Sequence, residues 1–457
     1  MKLKHISLSV MTIGGALGIC VAPAALASGY NFGSQSVSAQ GTAHANAAEA
    51  ADASTIYYNP AGMSFLDGDQ ITLGTTLVIP TSSFTNNGST TVVGTATSGG
   101  NGGSFAPSAV VAPNLYYTHQ IDDKIHVGLG IFVPYGAKLN YGTTWAGRYA
   151  LESVNLQTIN FNPSISYKLD EHHSFGFGVS AQYMKADLTK AVDVKSGLLL
   201  AGSGLASFIT GDGQVDMSAS GWGFGYNLGY MYTLDEHTRF GLAYRSKITQ
   251  RMNGNATWDY SGVSSSAAVV AGVNAAATHK NSNASLTVET PESASASFYH
   301  DLNSKWAVMA DVTWTGHSDM NSIDVRFPGT SEGDMTVDQK WKNTFMFALG
   351  ANYKYNDKLL LRSGVAYEQS PVPSDSLRHP ALPDSDRYWL SFGGNYKFTK
   401  QSSIDVAYSY VFFKDASVNY TDNCTPVSSN CTGNGETTKG SYKTHLQLVG
   451  LAYTYRF

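Results

Sequence analysis

The chain has 457 residues, of which only 14% are charged and 12% aromatic, with 46 Gly and 27 Tyr. A soluble enzyme of this size carries about a quarter charged residues, and a net charge of −5 without a basic run offers nothing to nucleic acid. Few charges with abundant Tyr and Gly is the balance expected of many strands meeting a membrane interface.

Residues 1–27 read as a secretory signal. Lys2 and Lys4 precede an apolar run from Ile6 to Leu26, and Ala25-Leu26-Ala27 supplies the small residues before a cleavage that starts the mature chain at Ser28. A membrane anchor fits less well, because Pro23 and the small-residue site follow the apolar run. Gly18-Ile19 is a poor lipidation context for Cys20.

Residues 28–67 form a second unit. From Gly29 to Ser54 it is rich in Ala, Ser and Gly, with side chains too small to build a core. It closes on Tyr57-Tyr58-Asn59-Pro60-Ala61-Gly62-Met63, where Asn59-Pro60 is a turn pair.

From residue 68 onward no stretch is long and apolar enough for a spanning helix, and period-two alternation takes over. Strands are expected over 69–80, 107–120, 125–135, 153–169, 173–187, 217–234, 238–250, 284–301, 304–316, 339–355, 358–372, 384–398, 402–415 and 440–457. In the twelfth, Tyr388, Leu390, Phe392, Tyr396 and Phe398 share one face while Trp389, Ser391, Asn395 and Lys397 share the other. Tight connections at Asp122-Asp123, Asp170-His172, Asp235-His237, Leu302-Ser304, Asn356-Asp357 and Thr399-Gln401 alternate with long ones over 81–106, 188–216, 251–283, 317–338 and 416–439. The chain ends on an alternating strand whose last apolar residue is Phe457.

An even strand number, with short turns on one side and long loops on the other, predicts an all-β fold: a fourteen-stranded antiparallel transmembrane barrel over 68–457 in a Gram-negative outer membrane. A barrel of that width leaks water unless filled. Residues 28–67 are therefore expected inside it as a hatch, the alternative being a disordered periplasmic leader.

Chemistry-bearing motifs are sparse. Cys424 and Cys431 sit in a polar loop, where in an oxidising compartment they are expected to staple the loop by a disulfide. There is no HExxH or CxxC metal pattern and no GxSxG nucleophile turn, and the glycine run at 221–229 lies on a strand. Neither metal, cofactor nor enzymatic activity is expected.

Several stretches in order resemble the FadL/TodX-type outer-membrane transporters of long-chain fatty acids and hydrophobic compounds. They are SVSAQGTAHANAAEAADASTIYYNPAGM, GLGIFVPYG with TWAGRY, GLAYRSKI, TPESASASF, WKNTFMFALGANY and VAYEQSPVPSDSLRHPALPDSDRYWLSFG. The resemblance implies passive transport: capture on apolar outer loops, a pocket under the hatch, and lateral release through a kink in strand three. Leu198 to Leu200 with Leu205, Phe208 and Ile209 are expected to supply the capture surface, with Leu199, Leu200 and Phe208 as contacts; a self-contained loop core is the alternative. The kink falls at Gly130, Phe132 and Pro134, where a missing ladder donor makes broken pairing cheap; the alternative is that the strand simply ends there. Asn59, Pro60 and Ala61 are implied as the hatch turn facing it.

A carboxylate taken from water needs a cation. The resemblance implies Lys190, following Tyr183, as one. The second falls near Val337, with Lys340 and Lys342 close by, and its loss would favour a neutral monoaromatic hydrocarbon. Glu368, Asp386 and Arg387 are expected as a polar lumen network. Expected partners are the fatty acid or hydrocarbon, outer-membrane lipid and the outer-membrane assembly machinery, which reads a terminal strand of this kind. A general diffusion porin shares the leader and the alternation but needs no plug.

Overall fold

Alternation becomes a wall when one phase meets lipid and the other a lumen. The computed structural model describes residues 30–330, 335–422 and 435–457; the signal segment and the Cys424/Cys431 pair lie outside the described residues.

Fourteen staves run β1 (Gln70–Asn86), β2 (Val110–Gln120), β3 (Ile125–Phe132 and Gly136–Asn140), β4 (Ser153–Lys168), β5 (His173–Val192), β6 (Gly213–Thr233) and β7 (Thr238–Arg245 and Ile248–Asp259). They continue as β8 (Ser282–Thr290 and Ser293–Asp301), β9 (Trp306–Thr315 and Ser322–Arg326), β10 (Met335–Asp338 and Thr344–Lys354), β11 (Leu359–Glu368), β12 (Arg387–Lys397), β13 (Ser402–Phe413 and Ala416–Thr421) and β14 (Thr437–Arg456). Each pairs antiparallel with its sequence neighbours, and β14 returns to β1 from Gln70 opposite Arg456 to Asn86 opposite Gly440, closing the barrel. Among the described residues closure leaves the ladder open chiefly where β3 turns inward after Phe132; elsewhere the backbone is paired, as the hydrocarbon requires, since an unpaired peptide group there costs several kcal/mol. On β12, Tyr388, Leu390, Phe392 and Tyr396 face outward and are exposed while Trp389 and Ser391 are buried inside. Among the described residues no helix is long and apolar enough to cross a membrane.

The tight turns share one device. Asp122 accepts from the amides of Lys124 and Ile125, Asp170 from His172 and His173, Asn303 from Lys305 and Trp306, and Asn356 from Lys358 and Leu359. A short side-chain acceptor replaces the missing backbone partner and reverses the chain in two or three residues.

The far side differs from the sequence expectation. Much of 188–216, 251–283 and 416–439 continues the ladder, since β5 runs to Val192, β6 starts at Gly213 and β7 reaches Asp259. Beyond the bilayer both faces of a strand meet polar surroundings, so the alternation fades while the backbone pairing persists. Two short helices cap this side, α3 (Val194–Leu200) and α4 (Ala267–Ala276), which follow α1 (Val37–Gly41) and α2 (Thr55–Tyr58) in the N-terminal segment.

Residues 30–66 fill the lumen. Ala39, Ala43, Ala45, Ala48, Ala53 and Ala61 are fully buried, and the small side chains let backbone approach the wall. At Gly364 a Cβ would overlap the backbone of Thr42, and at Gly176 that of Pro60 and Ala61. Polar ties fix the segment on several sides. Gln40 Nε2 donates to the Leu448 carbonyl at 3.1 Å, Asn352 Nδ2 to Glu49 at 2.6 Å, and Asn59 Nδ2 to the carbonyls of Tyr230 and Leu242 at 3.1 and 3.2 Å. A buried ion pair of Arg362 with Asp405, whose other oxygen accepts from Asn395 at 2.7 Å, stands against α1 at Gly41.

Candidate functional site

Strand β3 pairs with β2 only up to Ile131 opposite Leu115, so Val110 to Asn114 of β2 have no ladder partner on that side. The ladder from β3 to β4 also stops at Phe132 and resumes at Gly136. Pro134 has no amide hydrogen to give, and Val133 to Tyr135 leave the sheet. Tyr135 keeps its backbone on Thr158 of β4, N–H donating to the hydroxyl at 3.0 Å and the carbonyl accepting from it at 2.6 Å, while Val133 and Pro134 find partners inside the barrel. Phe32 N–H donates to the Pro134 carbonyl at 2.7 Å and Gly136 N–H to the Tyr30 carbonyl at 2.9 Å. The Gln35 amide spans the rest, Nε2 donating to the Val133 carbonyl at 2.7 Å and to Phe32 O at 2.5 Å while Oε1 accepts from Val133 N at 3.2 Å. Phe32 packs with Val110, Ala112 and Val133 across the gap. Residues 30–35 thus act as a strap over an interrupted wall.

Two cavities meet the strap. The upper one, a cavity of about 130 Å³, is lined by Tyr30, Val154, Leu156, Leu188, Met217, Ala219, Leu286, Val288, Val325 and Leu382, with Gln339 and His379 among its few polar residues. The lower one, of about 120 Å³, is lined by Asn31, Gly33, Tyr57, Tyr58, Arg245, Asp311, Glu368 and Trp389. Tyr30 faces one and Asn31 the other, so the strap is part of the partition between them.

Lys190 is buried close to the polar end of the upper cavity. Its Nζ lies 3.7 Å from Asp422 Oδ2. Glu436, whose two carboxylate oxygens have no hydrogen-bond partner among the described residues, is held up to about 7 by burial, against the pull of Lys190. Burial, with Lys190 nearby, drives His379 down to about 3, so its ring is neutral. The Ala381 amide donates to His379 Nδ1 at 3.1 Å, which puts the ring proton on Nε2. The cavity therefore meets a neutral N–H donor with a cation close by.

The other residues expected from sequence divide. Leu199, Leu200 and Phe208 are exposed, whereas Leu198 and Ile209 pack with Tyr260, Val263 and Val273 in a loop core, so the cluster contains both an apolar surface and a core. Lys340 and Lys342 are exposed, Lys340 paired with Asp338 at 3.2 Å, and neither lines the cavity; their neighbours Val337 and Gln339 do. Gly130 packs beneath Tyr116 and Phe132, and Phe132 meets the Tyr57 ring edge-on at 5.0 Å. Asn59, Pro60 and Ala61 sit against Gly176, Gly229 and Gly241 of β5 to β7, so Tyr57 and Phe32 rather than this turn face the break. Arg387 is fully buried between Glu368 at 3.4 Å and Asp384 at 3.0 Å, while Asp386 turns to Lys414 at 2.9 Å.

Sequence reasoning did not single out Gln35, Arg245, Arg362 or His379. Arg245 and His379 lay inside motifs already quoted, but only the fold puts them against a cavity.

Comparison with known proteins follows this geometry. Residues 18–457 match the family described as outer membrane protein transport protein (OMPP1/FadL/TodX). A putative outer membrane protein of Neisseria meningitidis serogroup B is 35% identical, covering 96% of this chain and 97% of its own. The long-chain fatty acid transport protein of Escherichia coli K12 is 30% identical over 86% of this chain and 90% of its own. Among solved structures, a Pseudomonas aeruginosa FadL homologue superposes with a TM-score of 0.84 at 23% identity, covering 94% of this chain and all of that one. The Pseudomonas putida toluene transporter TodX gives 0.64 at 21% identity, over 89% and 94%.

Proposed function

The chain belongs to the OMPP1/FadL/TodX family of outer-membrane transport proteins, and from that premise we propose that it passes long-chain fatty acids across the outer membrane without energy input. The observation that carries this reading is the apolar upper cavity with its neutral donor His379 and nearby cation Lys190 at one end. A hydrocarbon chain gains about 0.8 kcal/mol per methylene buried, which a water-filled pore would not supply. The carboxylate, costly to bury unpaired, would lie at the His379 end.

In this reading the exposed Leu199, Leu200 and Phe208 first collect the ligand, the cavity holds it, and displacement of the strap joins the two cavities. Displacement also unseals the β2–β3 gap, through which the ligand leaves sideways, and no step needs a catalytic residue. Residues 28–67 serve as hatch. The filled lumen argues against a general diffusion porin.

A second reading, uptake of monoaromatic hydrocarbons, is favoured by one observation: Lys190 is already partly neutralised by Asp422 and Glu436. The two are separated by binding oleate and toluene to the purified barrel, in wild type and Lys190→Ala. Oleate bound by wild type and weakened by the substitution, with toluene indifferent, upholds the fatty-acid reading. Toluene binding alone, or oleate binding indifferent to Lys190, transfers the assignment to hydrocarbons.

A further inference from the structure

The lower cavity holds a cation that neither the wall nor the hatch neutralises. Arg245 ends the first segment of β7, where the strand is interrupted at Ser246 and Lys247. The Ser246 amide donates to the Tyr226 carbonyl at 2.9 Å, and the Ser246 hydroxyl accepts from Tyr226 N–H at 2.9 Å. Arg245 lines the cavity, and its Nη2 donates to the Tyr57 carbonyl of the hatch at 2.9 Å. A longer contact of 3.4 Å joins Nη1 to Ser180 Oγ. The guanidinium lies over the Tyr57 ring at 4.8 Å and the Phe132 ring at 5.6 Å, so it stands at the residue where β3 breaks.

No carboxylate pairs with Arg245 among the described residues. A guanidinium has five N–H donors in a fork that matches a carboxylate in two places, and the protein occupies only two of them. The cavity's other charges favour one orientation of a guest. Glu368, already engaged with Arg387 and Trp389, contributes a negative group to the same lining, and Asp311 a buried carboxyl that accepts from Thr313 at 2.8 Å. A carboxylate entering this space is repelled by Glu368 and drawn to the fork.

We propose that Arg245 is a second carboxylate-binding residue, one that takes the headgroup of a fatty acid after it leaves the upper cavity and, in doing so, exchanges its hydrogen bond to Tyr57 for the ligand. The exchange loosens the hatch beside the broken strand only when the cargo is an anion, so Arg245 selects acids over neutral chains of the same length at the exit. This rests on the fatty-acid reading above.

The test is uptake of oleate and of oleyl alcohol through the full-length protein, in wild type, Arg245→Met and Arg245→Lys, with oleate binding to each purified barrel measured alongside. Arg245→Met is expected to leave oleate binding within about twofold and to lower oleate uptake at least about tenfold, the loss of a charge-assisted hydrogen bond. Oleyl alcohol uptake should not fall, since Arg245→Met also lacks the tie to Tyr57, and Arg245→Lys should recover part of the oleate rate. Equal loss of acid and alcohol, or loss of neither, overturns the proposal, the first outcome making Arg245 a structural tie of the hatch. If wild type itself fails to bind oleate, the fatty-acid reading falls, and this inference with it.

Discussion

Replacing Gln35 with Ala isolates the strap. The side chain supplies the acceptor for Val133 N–H and donors for the carbonyls of Val133 and Phe32, and Val133 is only 2% exposed. A buried backbone group left without its partner costs about 1–3 kcal/mol. Counting only the two Val133 groups at the lower bound, the closed strap loses about 2 kcal/mol relative to the displaced one, in which water or ligand satisfies them. That raises the open population roughly 30-fold. The Phe32 amide, donated to Pro134, reports on this equilibrium. Native-state hydrogen exchange should show Phe32 and Val133 amides exchanging roughly 30-fold faster in Gln35→Ala. Gln40→Ala, whose side chain bonds Leu448 on another wall, should leave both amides unchanged. Exchange at Phe32 and Val133 within about threefold of wild type would refute the idea that this side chain holds the partition.

Other outcomes follow from the same geometry. Ala219→Trp places an indole in the upper cavity and should abolish oleate binding without unfolding the barrel, as read by binding and heat-modifiability on gels. Gly176→Val puts side-chain atoms where the backbone of Pro60 and Ala61 lies, so the hatch turn must move; steady ion conductance should appear in planar bilayers, with wild type expected to be silent. Glu436 is held up to about 7 chiefly by burial, opposed by Lys190 and reinforced by Asp422, with Asp193 also near. The folded state therefore binds more protons than the unfolded one between the ordinary carboxylate range and about 7, and stability falls as pH rises through that window. Below about 7 the folded protein holds Glu436 mostly neutral, so it competes less for Lys190 and oleate should bind more tightly at pH 6 than at pH 8. Glu436→Gln should flatten both trends, measured by thermal unfolding and by titration of ligand.

The wall was legible because lipid imposes a rule on every second residue: Tyr388, Leu390 and Phe392 could not occupy the other phase. The turns were legible because Asp122, Asp170 and Asn356 are residues that reverse a chain by themselves. Strand ends were not, since Thr437 to Lys443 and Gly213 to Ser218 alternate only weakly where lipid stops. The break at Val133 to Tyr135 was signalled by Pro134, but its closure was not. Gln35 meets Val133 across 98 positions, and nothing local marks an amide for that task. Lys190 came from the family likeness and does lie near a cavity, whereas Lys340 and Lys342, nominated by proximity in sequence, point elsewhere because β10 sends Val337 and Gln339 inward. The upper cavity gathers one to three residues each from β3 to β6 and β8 to β10, with others from the strap and loops, a juxtaposition that only a closed barrel creates.

The central claim is where the ligand lies and which way it points. A crystal structure of the protein with a dibrominated stearate, phased on the bromine anomalous signal, locates both. The account predicts bromine peaks among Leu156, Leu188 and Val288, with the carboxylate within hydrogen-bond reach of His379 Nε2 or Lys190 Nζ. An empty upper cavity, or a chain lying there with its carboxylate at Tyr30, would contradict it.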